Sequence, residues 1–246
     1  MNLLHDISHN ISRVPATWTA TPLVEGNPYS SSCTLLSLET RHIVIDTGLS
    51  LQEGELRSAL RRHRVSPHDV ELVINTHLHV DHCGNNCLFE HAAIAMSRRE
   101  WDWTDRFYST IFASSTPERA ALEFYPELPA HNFKTRTIRN VARLARMFWR
   151  RDRLGAERRF VWLEETPLPP GLEILQTPGH TPYHVSILVN GSQPVLVAGD
   201  AVLHEDPGFS VRTMIPYSEE LFLSTREQLL ARRLPTIPGH GPLFEP

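Results

Sequence analysis

The sequence predicts an α/β fold, and three observations carry that reading. Apolar runs of strand length recur along the chain, separated by segments whose apolar residues return at helical spacing. Several runs end in loops rich in glycine and proline, which punctuate such connections. With 246 residues, 41% of them hydrophobic and 21% charged, the chain can bury roughly 70–75% of its unfolded surface. That composition excludes disordered and fibrous classes. A single domain spanning residues 1–246 is the expected organisation.

The elements follow in order. Residues 33–38 and 42–46 are apolar runs separated by Glu39-Thr40-Arg41, which reads as a hairpin ending in Asp46-Thr47-Gly48. Residues 51–64 set Leu51, Leu56, Ala59 and Leu60 among charges, the pattern of a surface helix. Ser66-Pro67-His68-Asp69 reads as a turn, and Val70 to Ile74 as a buried strand running into Asn75-Thr76-His77. A second helix and a strand over Ala92 to Met96 come next. Residues 98–162 then form an expected helical insertion, in which Ile138, Val141, Leu144, Ala145 and Phe148 alternate with arginines as a basic amphipathic helix. Strands are expected again at Leu172 to Leu175, Val185 to Val189 and Val195 to Ala198, with a turn at Asn190-Gly191-Ser192-Gln193. Ser218 to Arg232 reads as a helix capped by Ser218, with Glu219 and Glu220 favourable in its first turn. Leu234 to Pro238 leads into a final loop carrying His240.

Charge narrows the partners. The formal net charge is −4, which argues against a general nucleic-acid binder. Residues 98–159 nevertheless hold 14 of the 24 Lys+Arg and 8 of the 28 Asp+Glu, a basic segment on an acidic body. This segment is expected to act as a lid, a wall for an apolar substrate tail, a packed helical subdomain or a homodimer contact. Three cysteines provide no disulfide framework, and Cys83 and Cys87 read as small apolar residues packing a helix start. Met1 to Trp18 lacks a continuous apolar stretch, and no run approaches the ~18 apolar residues of a membrane span. A cytoplasmic protein with no transmembrane segment is expected.

The chemistry concentrates in His77-Leu78-His79-Val80-Asp81-His82, at the end of a predicted buried strand, where α/β folds place ligand sites. His77 and His79 can point to one side in extended backbone, while Asp81 and His82 turn toward a neighbouring position. That arrangement suits two adjacent metal sites better than one. His180 in Thr177-Pro178-Gly179-His180, Asp200 in Ala198-Gly199-Asp200 and His240 in Pro238-Gly239-His240-Gly241 also end predicted strands. Imidazole and carboxylate donors suit Zn²⁺, with Fe or Mn compatible.

Through these residues the sequence resembles the metallo-β-lactamase-fold hydrolases, a superfamily that includes glyoxalase II, lactonases and ribonuclease Z. The resemblance covers about residues 24–97 and 170–246. It implies a four-layer αββα sandwich and two Zn²⁺ per chain. It places His77, His79 and His180 on one metal, Asp81, His82 and His240 on the other, and Asp200 between them. It further implies a bridging hydroxide as nucleophile, Asp81 passing a proton to the leaving group, and Asp46 orienting the histidine loop. His184 is expected to support the site from behind. Tyr183, His204 and Tyr217 are candidates for substrate contact. The expected activity is hydrolysis of an ester, lactone or thioester with an apolar portion, acyl-homoserine lactones being one candidate. A phosphodiesterase or nuclease on the same metals, a mononuclear iron persulfide dioxygenase and a non-catalytic metal protein remain as alternatives.

Overall fold

The computed structural model describes residues 17–127, 135–209 and 216–246. Its first sheet has six strands, in the order β1 (Thr19–Val24), β2 (Cys33–Leu38), β3 (Arg41–Ile45), β4 (Val70–Ile74), β5 (Ala93–Met96) and β6 (Phe160–Trp162). β1 to β3 form an antiparallel meander, and β3 to β6 run parallel. The second sheet has four strands, ordered β10 (Thr236–Pro238), β9 (Val195–Gly199), β8 (Val185–Val189) and β7 (Leu172–Gln176).

The side-chain period of two builds the layers. Ile43, Ile45, Ile74 and Ala95 leave one face of the first sheet and pack with Val185, Ile187, Val197 and Ile237 of the second. Val44, Val73, Ile94 and Met96 leave the opposite face and meet helices. Those helices are α1 (Glu53–Arg62), α3 (Arg98–Ala113), α4 (Pro117–Phe124) and α5 (Thr135–Phe148). On the far side of the second sheet, Leu196 and Ala198 pack with Leu229 of α6 (Glu219–Leu230). The result is the expected αββα sandwich. β8 is buried at every position, as a strand covered on both faces requires.

Three elements differ from the sequence expectation. β1 was not anticipated, since it is an edge strand interrupted by Pro22, and proline weakens a strand signal. The helix expected after His79 is the single turn α2 (Val80–Cys83), followed by short 3-10 structure. The 98–162 segment is helical over α3 to α5 but closes with β6, paired to β5 from Ile94↔Phe160 to Met96↔Trp162. Its last residues therefore belong to the first sheet. Three residues of partly exposed aromatic chain carry too little alternation to announce a strand.

Two arginines of α5 bond to the neighbouring helices. Arg139 pairs with Glu118 at 3.1 Å, and Arg146 donates to the carbonyls of Ile111 and Ser114 at 2.7 and 2.6 Å, closing the end of α3. Of the predicted apolar stripe, Ala145 is buried and Phe148 half-buried, while the side chains of Ile138, Val141 and Leu144 lie outside the described residues, as does most of Met1 to Trp18. Among the described residues no helix is long and apolar enough to cross a membrane.

Candidate metal centre

The candidate residues gather where strand ends from both sheets meet. His77 and His79 sit in the loop after β4, and Asp81 and His82 on α2. His180 lies between β7 and β8, Asp200 follows β9 and His240 follows β10. In one group, ligand atoms of His77, His79, His180 and Asp200 all lie within 4.8 Å of one another, and in a second group those of Asp81, His82 and His240 do the same. Asp200 faces both groups. Its Oδ2 is 3.1 Å from His180 Nε2 and 3.8 Å from His77 Nε2, while its Oδ1 is 3.2 Å from His82 Nε2 and 3.4 Å from His240 Nε2. Asp81 Oδ2 lies 3.5 Å from His240 Nε2 and 4.0 Å from His82 Nε2.

The backbone around the cluster is held by buried polar groups. Asp46 adopts a positive φ of 54°, which aspartate tolerates better than most residues. From there Oδ1 accepts the Thr76 N–H at 2.9 Å, and Oδ2 accepts the Thr76 hydroxyl and faces His82 Nδ1, both at 2.8 Å. The carbonyl of His82 receives the Thr47 N–H at 2.7 Å and the Asn75 amide at 3.3 Å. His184 is fully buried, with Nδ1 2.8 Å from the Thr177 hydroxyl and Nε2 accepting the Asp200 N–H at 3.1 Å. It thus fixes the backbone of the residue that faces both groups.

The electrostatics separate the imidazoles. Burial pushes His77 well down, helped by repulsion from His82 and His79. Burial also lowers His79 to about 4 and His184 to about 3, against the pull of nearby carboxylates. His180 is depressed by burial despite the attraction of Asp200. At His82 and His240 burial is outweighed by Asp200, with Asp46 adding at the first and Asp81 at the second. His82 is raised well above its ordinary value and His240 to about 9. Burial opposes ionisation of Asp200, but His82, His240 and His180 hold it well below the usual carboxylate range.

The cluster contains the marks of a cation site. Among its buried atoms, His77 Nε2, His82 Nε2 and Asp200 Oδ1 make no hydrogen bond, the last two although they lie 3.2 Å apart. Orphaned polar atoms are costly inside a protein, and here they are all metal-ligating types gathered at one place. The donor set therefore fits a divalent metal.

One contact to the cluster was not foreseen. Tyr125, following α4, places its hydroxyl 3.0 Å from His79 Nε2, while His79 Nδ1 faces His180 Nε2 at 2.9 Å. Burial raises the phenol above its ordinary pKa, so it stays protonated. The pairing sets which nitrogen of His79 is left for a metal. Replacing Tyr125 by Phe is expected to weaken metal retention by roughly tenfold. Competition with a chromophoric chelator measures this, and an unchanged affinity would show that the hydroxyl does not orient the ring.

The weaker candidates lie around the rim. Tyr183 is half-buried under the Arg99 guanidinium, 4.3 Å from its ring centre. His204 stacks on Phe209 at 4.8 Å, and a Cβ on Gly241 would meet its ring at 2.7 Å, so it packs against the His240 loop. Tyr217 bonds through its N–H to the His180 carbonyl at 3.0 Å, and its ring meets Trp103 edge-on at 6.3 Å. Cys33, Cys83 and Cys87 are free thiols, and Cys83 packs in the core while donating to the His79 carbonyl at 3.2 Å.

A sandwich carrying histidines and aspartates at the ends of strands from both sheets defines a class of metal-dependent enzymes. The family model described as the metallo-beta-lactamase superfamily matches residues 26–240, and the chain belongs to that superfamily, whose members are generally hydrolases. It is 32% identical over 207 residues to metallo-beta-lactamase domain-containing protein 1 of Xenopus laevis, covering 82% of this chain and 67% of the relative. An N-acyl homoserine lactonase from a Bacillus species is 24% identical over 222 residues, covering 80% of this chain and 74% of the relative. Among solved structures, AidC, a dizinc quorum-quenching lactonase, shares the fold with a TM-score of 0.56 at 18% identity, covering 85% of this chain and 72% of AidC.

Proposed function

We propose that the protein is a dinuclear, zinc-dependent hydrolase acting on the carbonyl of an ester, lactone or thioester with an apolar portion. The observation that carries this reading is Asp200, whose two oxygens face two separate sets of imidazoles. A carboxylate so placed favours a pair of cations over one. In this reading His77, His79 and His180 hold the first cation, Asp81, His82 and His240 the second, and Asp200 is shared. Bound there, the cations would supply Lewis acidity to a carbonyl oxygen and acidify a water. Imidazole and carboxylate donors suit zinc, with iron and manganese also compatible.

The protein's own residues account for the remaining tasks. Asp46 and His184 keep His82 and the Asp200 backbone in place. Asp81 retains 21% side-chain exposure, open enough for its carboxyl to pass a proton to a departing alkoxide or thiolate. Trp103 and Tyr217 are partly buried beside Tyr125 and offer an apolar wall close to His79. Because each sheet contributes only part of the donor set, we read the chain as one catalytic domain.

The test is to assay the zinc-loaded protein against lactones, thioesters, β-lactams and phosphodiesters, with metal analysis and a chelator control. The expected result is two zinc ions per chain and hydrolysis of a lactone, ester or thioester that stops on chelation. One iron per chain with oxygen-dependent persulfide turnover would overturn the proposal, as would turnover of phosphodiesters alone.

A further inference from the structure

The sequence Ser97-Arg98-Arg99-Glu100 has the form of a helix capping box, in which the glutamate turns back onto the start of its own helix. Ser97 plays its part, accepting the Glu100 N–H at 3.3 Å. The start of α3 is completed by a different carboxylate: Glu164 accepts the Ser97 hydroxyl at 2.6 Å and the Arg98 N–H at 2.9 Å. Glu100 points into the molecule and is only 1% exposed. Its carboxyl group accepts the Thr181 hydroxyl at 2.9 Å and the Thr104 hydroxyl at 3.4 Å, and it faces the backbone N–H groups of Leu78 and Tyr183, which favour its charged form.

Those partners belong to two different loops. Leu78 stands between His77 and His79 after β4 of the first sheet. Thr181 follows His180 in the connection from β7 to β8 of the second, and Tyr183 precedes His184 there. Burial raises Glu100 to about 7, against the pull of its hydrogen-bond donors, so keeping this carboxyl group inside the protein is expensive. The helical layer keeps it at the point where it can face donors from both ligand-bearing loops at once.

We propose that Glu100 is a positioning residue, a clasp that joins the His77–His79 loop to the His180–His184 loop and sets the spacing of the cation site formed by His77, His79 and His180. This rests on the cluster being a metal site. The clasp ties the helical layer to the chemistry without touching a metal or substrate. Removing it takes the acceptor from the Thr181 and Thr104 hydroxyls and the charge that the Leu78 and Tyr183 N–H groups face, and each loop is freed to relax alone. A glutamine keeps one acceptor oxygen but sets an NH₂ group against the remaining donors.

The experiment uses the full chain with Glu100→Ala, Glu100→Gln and Thr181→Val, the last two being near-isosteric variants that keep the test valid should the alanine variant fail to fold. In metal-free protein, amide exchange at residues 77–79 and 180–184 is expected to rise in both loops together. In Co²⁺ titrations followed by visible absorption, one of the two cations is expected to bind about 10–100-fold more weakly in Glu100→Ala. The loss should be smaller in Glu100→Gln and smallest in Thr181→Val. Unchanged exchange in these loops, or two cations bound as tightly as in the parent while only melting temperature falls, would overturn the clasp. A parent protein that binds no cation overturns the metal reading instead, and the clasp then stands or falls on exchange alone.

Discussion

Asp200→Ala is expected to strip the protein of bound metal and abolish hydrolysis while leaving a folded chain. Its two carboxylate oxygens face the imidazoles of both clusters, at 3.1 to 3.8 Å. Removing one partner from a buried charge network costs on the order of 3–5 kcal/mol, or roughly 10²–10³-fold in affinity for a cation held there. The same substitution should change how the metal-free protein responds to pH. Asp200 titrates below its unfolded value of about 3.9, so its contribution is present above that pH and fades in acid. His240 is raised to about 9, so its contribution is full below about 6.5 and is lost as pH rises toward 9, with His82 behaving in the same sense. Metal-free parent protein should therefore melt at lower temperature at pH 9.5 than at pH 6.5, and Asp200→Ala should flatten that difference. Metal content after dialysis and melting curves at the two pH values check both parts. A variant retaining two tightly held cations would refute the shared role of this carboxylate.

How much of this was legible beforehand depends on where each residue sits in the chain. His77, His79, Asp81 and His82 are packed into six positions at a strand end, and His180, Asp200 and His240 each follow an apolar run and a glycine, so strand-end chemistry could be read directly. Asp46 could be read for the same reason. Tyr125 and Glu100 could not. Each reaches the centre from the helical layer, where one tyrosine among many aromatics or one glutamate in an apparent capping box has no distinguishing spacing. Their roles come from tertiary placement, 46 positions away from His79 in the case of Tyr125 and 81 from Thr181 in the case of Glu100. The strands β1 and β6 escaped for a different reason. Both flank the first sheet, and β1 contains Pro22 while β6 has only three residues, so pairing with a neighbour rather than intrinsic pattern defines them.

Two glycines, one at the centre and one in α1, predict opposite outcomes for one chemical change. Gly179 immediately precedes His180 and has a φ of 139°, a conformation that side chains rarely adopt. A Cβ there would also run into the Cα and N atoms of Phe222, in the backbone of α6, which cannot swing aside as a flexible side chain would. The carbonyl of Gly179 accepts the Ser218 N–H at 3.0 Å at the start of that helix, so strain at one residue is passed to both the His180 loop and α6. Backbone strain of about 1–3 kcal/mol and overpacking of about 1–3 kcal/mol together put the expected cost of Gly179→Ala at roughly 2–6 kcal/mol. For a chain of this size that lowers the melting temperature by about 5–20 °C, with loss of metal from the His180 side. Gly54 in α1 is the contrasting case, since a Cβ there meets nothing within 4 Å. Gly54→Ala should stabilise by about 0.4–1 kcal/mol, because alanine has less freedom to lose on entering a helix. Thermal melts of the two variants separate the effects, and equal behaviour at both positions would mean that α6 can shift away from the His180 loop without cost.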